Sequence, residues 1–437
     1  IKYIITFLLI FSIFSLNILP ASAFQVSGFE IWAQGALLVS LDTEEVLYSK
    51  NADQKLYPAS LTKMLVATVV LENTENLDNE KITYTETANN AILGTGSSVI
   101  GLKIGEELTA RQALNCLLIS SGGDVAYALA EHYGGSTEGF MQMMNDTAQK
   151  IGMTASHFGN PVGLHDNDTY TTPHDIYLLA KYALKYKDFE DITSTRRYTL
   201  EATNMSRART LSTTNFLTDP STNYYYKYAK GIKTGFTDEA GRCVVSTASY
   251  GGYNYICVIM NCQNTDGRRH EFLDSQNLYR WAFNNFEYKS VLDTTKPAAE
   301  LPVELSLDTD HIELFPKTTL NRILPKNADA STISLKVNLN CSVATAPVAA
   351  DTVFGTADVI YAGETIGQVE LVSKENISSN IFLKAGRFIK DAVKSTAFKI
   401  IVFLIIAAVI IFIIIVIFMN RDRKKRRKVK YVPYDKK

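Results

Sequence analysis

Residues Pro58–Met64 of this 437-residue chain read PASLTKM, and residues 231–241 read GIKTGFTDEAG. In the first stretch, Ser60 and Lys63 are three residues apart, which puts both side chains on one face of a helix. A serine hydroxyl is a poor nucleophile until a base removes its proton, and a lysine amine can do so when burial and a nearby positive charge lower its pKa. The pair alone is weak evidence, because most helices contain Ser and Lys at this spacing by chance.

The second stretch contains Lys233-Thr234-Gly235, a more specific pattern. On a strand beside a cleft, the amine and the hydroxyl can hold a carboxylate, and the glycine lets the backbone approach closely. The alternative is a strand end with an exposed lysine. Between the two stretches lies the small-residue segment Ser121-Gly122-Gly123, which also fits the end of one helix and the start of the next.

The segments around these motifs predict an α+β domain in which terminal strands surround a helical middle part. A β-hairpin is predicted near the start of this domain, and further strands and a closing helix near its end. The predicted hairpin strands are 36–40 and 46–48, the helices 61–71, 110–119, 126–132 and 273–283, and the later strands 243–246 and 255–260.

The order S-x-x-K, a serine motif and K-T-G resembles the serine-type D-Ala-D-Ala carboxypeptidases, the low-molecular-weight penicillin-binding proteins of the peptidase S11 kind. The likeness extends to SGGD at 121–124, NPVGL at 160–164 and YTT at 170–172. It implies a β-lactamase/transpeptidase-like domain over 24–288, with an antiparallel sheet flanked by helices. A small all-β domain is predicted over 297–378, from short alternating segments at 303–307 and 334–337 and from a hairpin in which 359–361 is joined to 368–371 across a turn at 362–364.

The resemblance also implies roles for individual residues. Ser60 would be the acyl-enzyme nucleophile, Lys63 its proton acceptor, and Ser121 a relay of the proton to the leaving D-alanine. Backbone N–H groups of Ser60 and of the K-T-G strand would form the oxyanion hole. Lys233, Thr234 and Gly235 would bind the substrate, the first two through its terminal carboxylate.

Two positions depart from the family pattern. Gly123 stands where the second motif usually has Asn, and Val162 stands where His usually follows Asn-Pro. An asparagine at 123 would donate a hydrogen bond to the substrate's acyl carbonyl and help to hold Lys63. We therefore expect a slow but working enzyme with a wider, water-filled cleft beside Ser121, which Gly123→Asn would speed up.

The two ends of the chain predict export and anchoring. Residues 1–23 read as a secretory signal peptide, with an apolar core from Ile4 to Leu19 and the small-residue site Ala-Ser-Ala at 21–23. Residues 400–419 have no polar side chain and are long enough to span a bilayer as a helix. The basic segment 420–437 should remain in the cytoplasm. Residues 382–399 are predicted as an amphipathic juxtamembrane helix on the outer surface or, alternatively, a plain solvated helix.

Charge and motif content limit the partners. The net charge is −1, but the last seventeen residues hold ten Lys/Arg against two Asp/Glu, so the exported body is acidic. Such a body argues against nucleic-acid binding, which needs basic residues at the phosphates. There is no H-E-x-x-H and no C-x-x-C, so neither a metal nor another cofactor is expected. The expected partners are peptidoglycan pentapeptide stems, β-lactam antibiotics as inhibitors, and the bacterial cell membrane through the C-terminal helix.

The sequence leaves three alternative functions open. The first is a membrane-anchored D,D-carboxypeptidase that removes the terminal D-Ala from pentapeptides. The second is a catalytically impaired wall protein that acts by interaction, which only Gly123 favours. The third is a β-lactamase, against which the sequence offers no E-x-x-x-N after Ser121 to activate a deacylating water.

Overall fold

The structure, a computed structural model, describes residues 29–263, 266–329 and 332–428, and the predicted signal peptide lies outside this range. The chain divides into two compact units, one of residues up to Tyr288 with Ile323–Ala328, the other of Lys289–Arg322 with the residues from Asp329 onward.

A short 3-10 helix, Ala59–Leu61, precedes the first α-helix. The α-helices are α1 Thr62–Asn73, α2 Glu86–Ile92, α3 Ala110–Ile119, α4 Gly123–Gly134, α5 Thr137–Ile151, α6 Pro173–Ala183, α7 Lys187–Ser194, α8 His270–Asn285, α9 Ile381–Lys394 and α10 Thr396–Lys428. The strands are β1 Gly35–Ser40, β2 Val46–Lys50, β3 Lys81–Thr83, β4 Glu107–Thr109, β5 Arg197–Leu200, β6 Arg209–Ser212, β7 Ala229–Thr237, β8 Gly241–Tyr250, β9 Tyr253–Cys262, β10 Phe286–Ser290, β11 Ala299–Glu304, β12 His311–Pro316, β13 Asn321–Pro325, β14 Ser334–Leu339, β15 Ala344–Thr345, β16 Val353–Tyr361 and β17 Glu364–Ser373.

The first unit is built on an antiparallel sheet in the order β2-β1-β9-β8-β7, which joins the start of the unit to its end. Side chains alternate between the two faces of this sheet, as period-2 geometry requires. Leu37 and Val39 pack into the core shared with the helical middle part, whereas Leu38 packs into the core shared with α8. The predicted α+β class, an antiparallel sheet flanked by helices, is confirmed.

Helix α1 lies in the middle of the helical core, and every residue from Thr62 to Val70 is buried. A helix that is surrounded on all sides needs apolar residues all round, which this segment largely provides. Lys63 is the one charged residue among Thr62–Val70, and it enters the interior because it occupies the second position of this central helix.

The observed helices agree with the predicted ones at 61–71, 110–119 and 273–283, with small differences at the ends. The predicted helix 126–132 is wrong at its start, because α4 begins at Gly123. The break in the chain is instead at Ser120–Gly122, where Ser121 has a left-handed backbone with φ +65°. Gly123 is therefore a helical residue and does not belong to the loop.

The second unit contains a mainly antiparallel sheet in the order β14-β16-β17-β12-β11-β15. Strands β16 and β17 form the predicted hairpin, with positive φ at Ala362 (+51°) and Gly363 (+86°) in the turn. The strand predicted over 303–307 is wrong beyond Glu304, because Leu305 has φ +67° and leaves the extended conformation. The predicted small all-β fold is confirmed.

Two helices end the described chain. Within α10, the 26 residues Thr396–Arg421 could cross a membrane by length and composition, and an 18-residue window of this span has a mean hydropathy of 3.9. The preceding α9 has no buried residue, and Phe382 and Phe388 are 80% and 75% exposed. Lys384 and Arg387 lie between these aromatic side chains in the sequence, so α9 is amphipathic.

Candidate active site

Ser60 and Lys63 lie at the junction of the 3-10 helix and α1. The Nζ atom of Lys63 is 2.9 Å from Oγ of Ser60, so the predicted S-x-x-K pair is formed. Lys63 is fully buried, whereas Ser60 is half-buried and lines a cavity of about 880 Å³. The amine is thus held out of water and faces a hydroxyl on the wall of this cavity.

Ser121 approaches the same amine from the junction of α3 and α4. Its Oγ is 3.4 Å from Nζ of Lys63, and its hydroxyl group is on the wall of the same cavity. The left-handed backbone at Ser121, φ +65°, is an uncommon conformation for a non-glycine residue. It is found at the point where the chain turns from α3 into α4, beside the lysine.

The K-T-G motif lies on β7, which is an edge strand of the sheet. A Cβ atom at Gly235 would be 3.0 Å from the carbonyl oxygen of Pro58 and 3.1 Å from the amide nitrogen of Ser60. Contacts this short are tighter than ordinary packing, so only glycine lets β7 lie so near Ser60. The strand is thereby brought against the 3-10 helix.

The side chains of Lys233 and Thr234 occupy different environments. Lys233 is 1% exposed and donates from Nζ to the carbonyl oxygen of Thr234 at 2.9 Å, whereas Thr234 lines the cavity. The hydroxyl of Thr234 is hydrogen-bonded to that of Thr214. Of this motif, Thr234 and Gly235 therefore face the cavity, and the lysine lies behind them.

Both buried lysines have lowered pKa values. Burial lowers the pKa of Lys63 to about 7, although the carboxylate of Asp124 raises it in part. Burial lowers the pKa of Lys233 well below its ordinary value, and the positive charge of Lys63 lowers it further. Lys63 can therefore be neutral near pH 7, as a proton acceptor must be.

The NPVGL motif packs against the segment that carries Ser60 from another side. The side-chain oxygen of Asn160 accepts hydrogen bonds from the backbone N–H groups of Gly163 (2.8 Å) and Leu164 (3.0 Å). Gly163 has φ +77°, and a Cβ atom there would overlap the carbonyl oxygen of Ala59. The turn is thus packed directly against the residue that precedes Ser60.

The space beside Gly123 is filled, so the expected wider cleft is wrong. A Cβ atom at Gly123 would be 2.5 Å from Oγ of Ser97 and 3.0 Å from the carbonyl oxygen of Ser98. Gly123→Asn should therefore give no gain in rate, because the asparagine side chain would collide with this segment.

Several cavity residues carry no motif and could not be predicted from the sequence. Arg269 lines the cavity, 4.8 Å from the ring centre of Phe216, with Nε 2.5 Å from Glu271. Arg268 is instead 70% exposed and 3.8 Å from Asp266. Residues of the cavity wall that the sequence did not reveal include Ser97, Ser98, His165, Thr213, Thr214 and Phe216.

The fold and this site define the class of active-serine penicillin-binding proteins. Residues 22–264 match the D-alanyl-D-alanine carboxypeptidase family, Peptidase S11, and residues 286–379 match the C-terminal domain of penicillin-binding protein 5. The chain belongs to the family of serine-type D-alanyl-D-alanine carboxypeptidases.

Known relatives are similar in sequence or structure over most of the chain. It is 28% identical to D-alanyl-D-alanine carboxypeptidase DacF of Bacillus subtilis, over 80% of this chain and 87% of that protein. It is 31% identical to D-alanyl-D-alanine carboxypeptidase DacC of Escherichia coli, over 80% of this chain and 85% of that protein. The crystal structure of penicillin-binding protein 5 from Haemophilus influenzae aligns with a TM-score of 0.62 at 25% identity, over 81% of this chain and 100% of that one.

Proposed function

We propose that this chain is a membrane-anchored D,D-carboxypeptidase that removes the terminal D-Ala from peptidoglycan pentapeptide stems through an acyl-enzyme on Ser60. The observation that carries the proposal is the position of the buried Lys63 amine, 2.9 Å from the Ser60 hydroxyl and 3.4 Å from that of Ser121, with its pKa lowered to about 7.

Acylation begins with proton transfer. Neutral Lys63 takes the proton of Ser60, whose Oγ attacks the carbonyl carbon of the penultimate D-Ala. The oxyanion accepts hydrogen bonds from the backbone N–H of Ser60 and from one of strand β7, which Gly235 allows to lie close to it. The proton passes through Ser121 to the leaving nitrogen, the C–N bond breaks, and D-alanine departs.

Deacylation returns the enzyme to its starting state. Water attacks the ester on Ser60, the proton returns to the serine oxygen, and the shortened peptide leaves with a free carboxylate. The terminal carboxylate of the substrate is held during acylation by Thr234 and Arg269 on the cavity wall, with the buried amine of Lys233 behind them.

A β-lactam acylates Ser60 by the same steps as the peptide substrate. Its carboxylate and strained amide present the same groups to the cavity, and Ser60 opens the ring to form an ester. The leaving nitrogen remains tethered to the acyl group, so it cannot diffuse away as D-alanine does. The ester therefore persists and the enzyme is inhibited.

Membrane attachment follows from the C-terminal helices. Helix α10 spans the bilayer, with the basic segment after it in the cytoplasm and the catalytic unit outside. Helix α9 lies on the outer face of the same bilayer through exposed apolar side chains such as Phe382 and Phe388, while its basic residues contact lipid headgroups.

The test uses the full chain in detergent, with fluorescent penicillin and an N-acyl peptide ending in D-Ala-D-Ala. We expect a covalent label that maps to Ser60, together with release of D-Ala, and we expect Ser60→Ala to remove both. Labelling without D-Ala release would favour the interaction protein, and rapid penicillin hydrolysis would favour the β-lactamase. A label that persists in Ser60→Ala would exclude this serine as the nucleophile.

A further inference from the structure

The segment 93–106, which joins α2 to β4 and is called here the Ser97 loop, reaches the active site at Gly123. The backbone N–H of Gly123 donates to the carbonyl oxygen of Ser98 at 2.6 Å. A Cβ atom at Gly123 would be 2.5 Å from Oγ of Ser97 and 3.1 Å from Cδ1 of Ile92. The Ser97 loop therefore occupies the volume in which a side chain at 123 would begin.

The hydroxyl of Ser97 is available to a ligand. Ser97 is half-buried and lines the same cavity as Ser60 and Ser121. Its backbone N–H donates to Oγ1 of Thr95 at 3.3 Å, but its Oγ forms no hydrogen bond with any residue that the structure describes. A hydroxyl that can donate and accept is thus exposed on the wall beside the second serine of the site.

The Ser97 loop is fixed by buried carboxylates. Asp124, 2% exposed, accepts hydrogen bonds from the backbone N–H groups of Ile100 (3.1 Å), Gly101 (2.9 Å) and Leu102 (3.0 Å). Further along, Glu106 accepts from the backbone N–H of Lys103 at 3.0 Å. Donors held in this way contribute more to binding, because little ordering remains to be done when the substrate arrives.

We propose that Ser97 donates a hydrogen bond to the acylamido carbonyl of the substrate, the amide that lies one residue before the scissile bond. The inference rests on the proposed acylation of Ser60. It makes Ser97 a substrate-binding residue that replaces, from a different part of the chain, the side chain that Gly123 lacks. The glycine and the serine then act together, since the glycine is what admits the Ser97 loop.

The test compares two β-lactams on the full chain in detergent. Benzylpenicillin has an acylamido carbonyl, whereas 6-aminopenicillanic acid has a free amine in its place, so only the first can use the contact. We divide the second-order acylation rate constant of benzylpenicillin by that of 6-aminopenicillanic acid. Ser97→Ala should lower this ratio about tenfold, the effect of one hydrogen bond. Val99→Ala is the matched control: it truncates an exposed side chain of the same loop and should keep the wild-type ratio.

A second variant tests the link to Gly123. Gly123→Ala retains the Ser97 hydroxyl but displaces it, so the ratio should fall as in Ser97→Ala. The double variant should be no worse than Ser97→Ala alone, because both changes remove one contact.

The outcomes separate the inference from the proposed function. A wild-type protein that neither β-lactam acylates would overturn the proposed function and this inference with it. Normal acylation with an unchanged ratio in Ser97→Ala would overturn the inference alone, as would additive losses in the double variant.

Discussion

The Lys63→Arg variant tests whether Lys63 acts as a base or only fills space in the core. Arginine keeps a positive charge and a long side chain, but its guanidinium does not lose its proton in proteins. If the neutral amine of Lys63 accepts the Ser60 proton, acylation should fall by about 10²–10⁴-fold, the usual contribution of a general base.

The pH dependence gives the sharper measurement. With a pKa of about 7, the amine of Lys63 is neutral in about a tenth of molecules at pH 6, half at pH 7 and about nine-tenths at pH 8. Because the neutral form is the active one, the acylation rate should rise about tenfold from pH 6 to pH 8 and then level off. The midpoint belongs to the coupled pair of Lys63 and Lys233, since the charge of each affects the other.

The assay is stopped-flow acylation by a fluorescent penicillin between pH 5.5 and pH 9. Lys63→Arg should remove the rising limb and leave a slow, flat profile. Lys150→Arg is the control, since Lys150 is an exposed residue paired with Glu72 and arginine can keep that pair. Acylation by Lys63→Arg at a near wild-type rate, or a wild-type rate that falls from pH 6 to pH 8, would refute the base assignment.

The environment of Lys63, the turn at Gly163 and the C-terminal helix each give one further prediction. Asp124→Asn removes the carboxylate that raises the pKa of the active-site lysine, so the midpoint of the acylation profile should move to lower pH; a midpoint that stays or rises contradicts this electrostatic argument. Gly163→Ala should lower the melting temperature and slow acylation, because its Cβ would overlap the Ala59 carbonyl in addition to a backbone cost of about 1–2 kcal/mol at positive φ. Gly152→Ala is the matched control, with φ +97° but no atom nearer than 3.9 Å to the added Cβ, and equal effects on acylation would remove the overlap as the cause. Protease added to intact protoplasts should digest the catalytic unit and spare a tag placed after Lys437, and a digested tag would reverse the proposed orientation.

The sequence was sufficient wherever the relevant interactions are local. The three-residue spacing of Ser60 and Lys63 predicts their contact, because a helical turn brings such positions together whatever surrounds it. Residues 400–419 predict a possible membrane span, because length and apolar composition are what a bilayer requires. The hairpin of β16 and β17 is likewise predicted by two alternating segments and a turn.

The tertiary structure alone decided what depends on distant parts of the chain. The lowered pKa of Lys63 results from burial in a helix that is surrounded on all sides, and a spacing of two residue types cannot report burial. Ser97 occupies the space beside Gly123, and Arg269 lies on the cavity wall. Both positions depend on how loops far apart in sequence pack. The sequence at 121–124 thus predicted a missing side chain and a water-filled cleft, whereas another loop packs into that space, because folded interiors leave few voids.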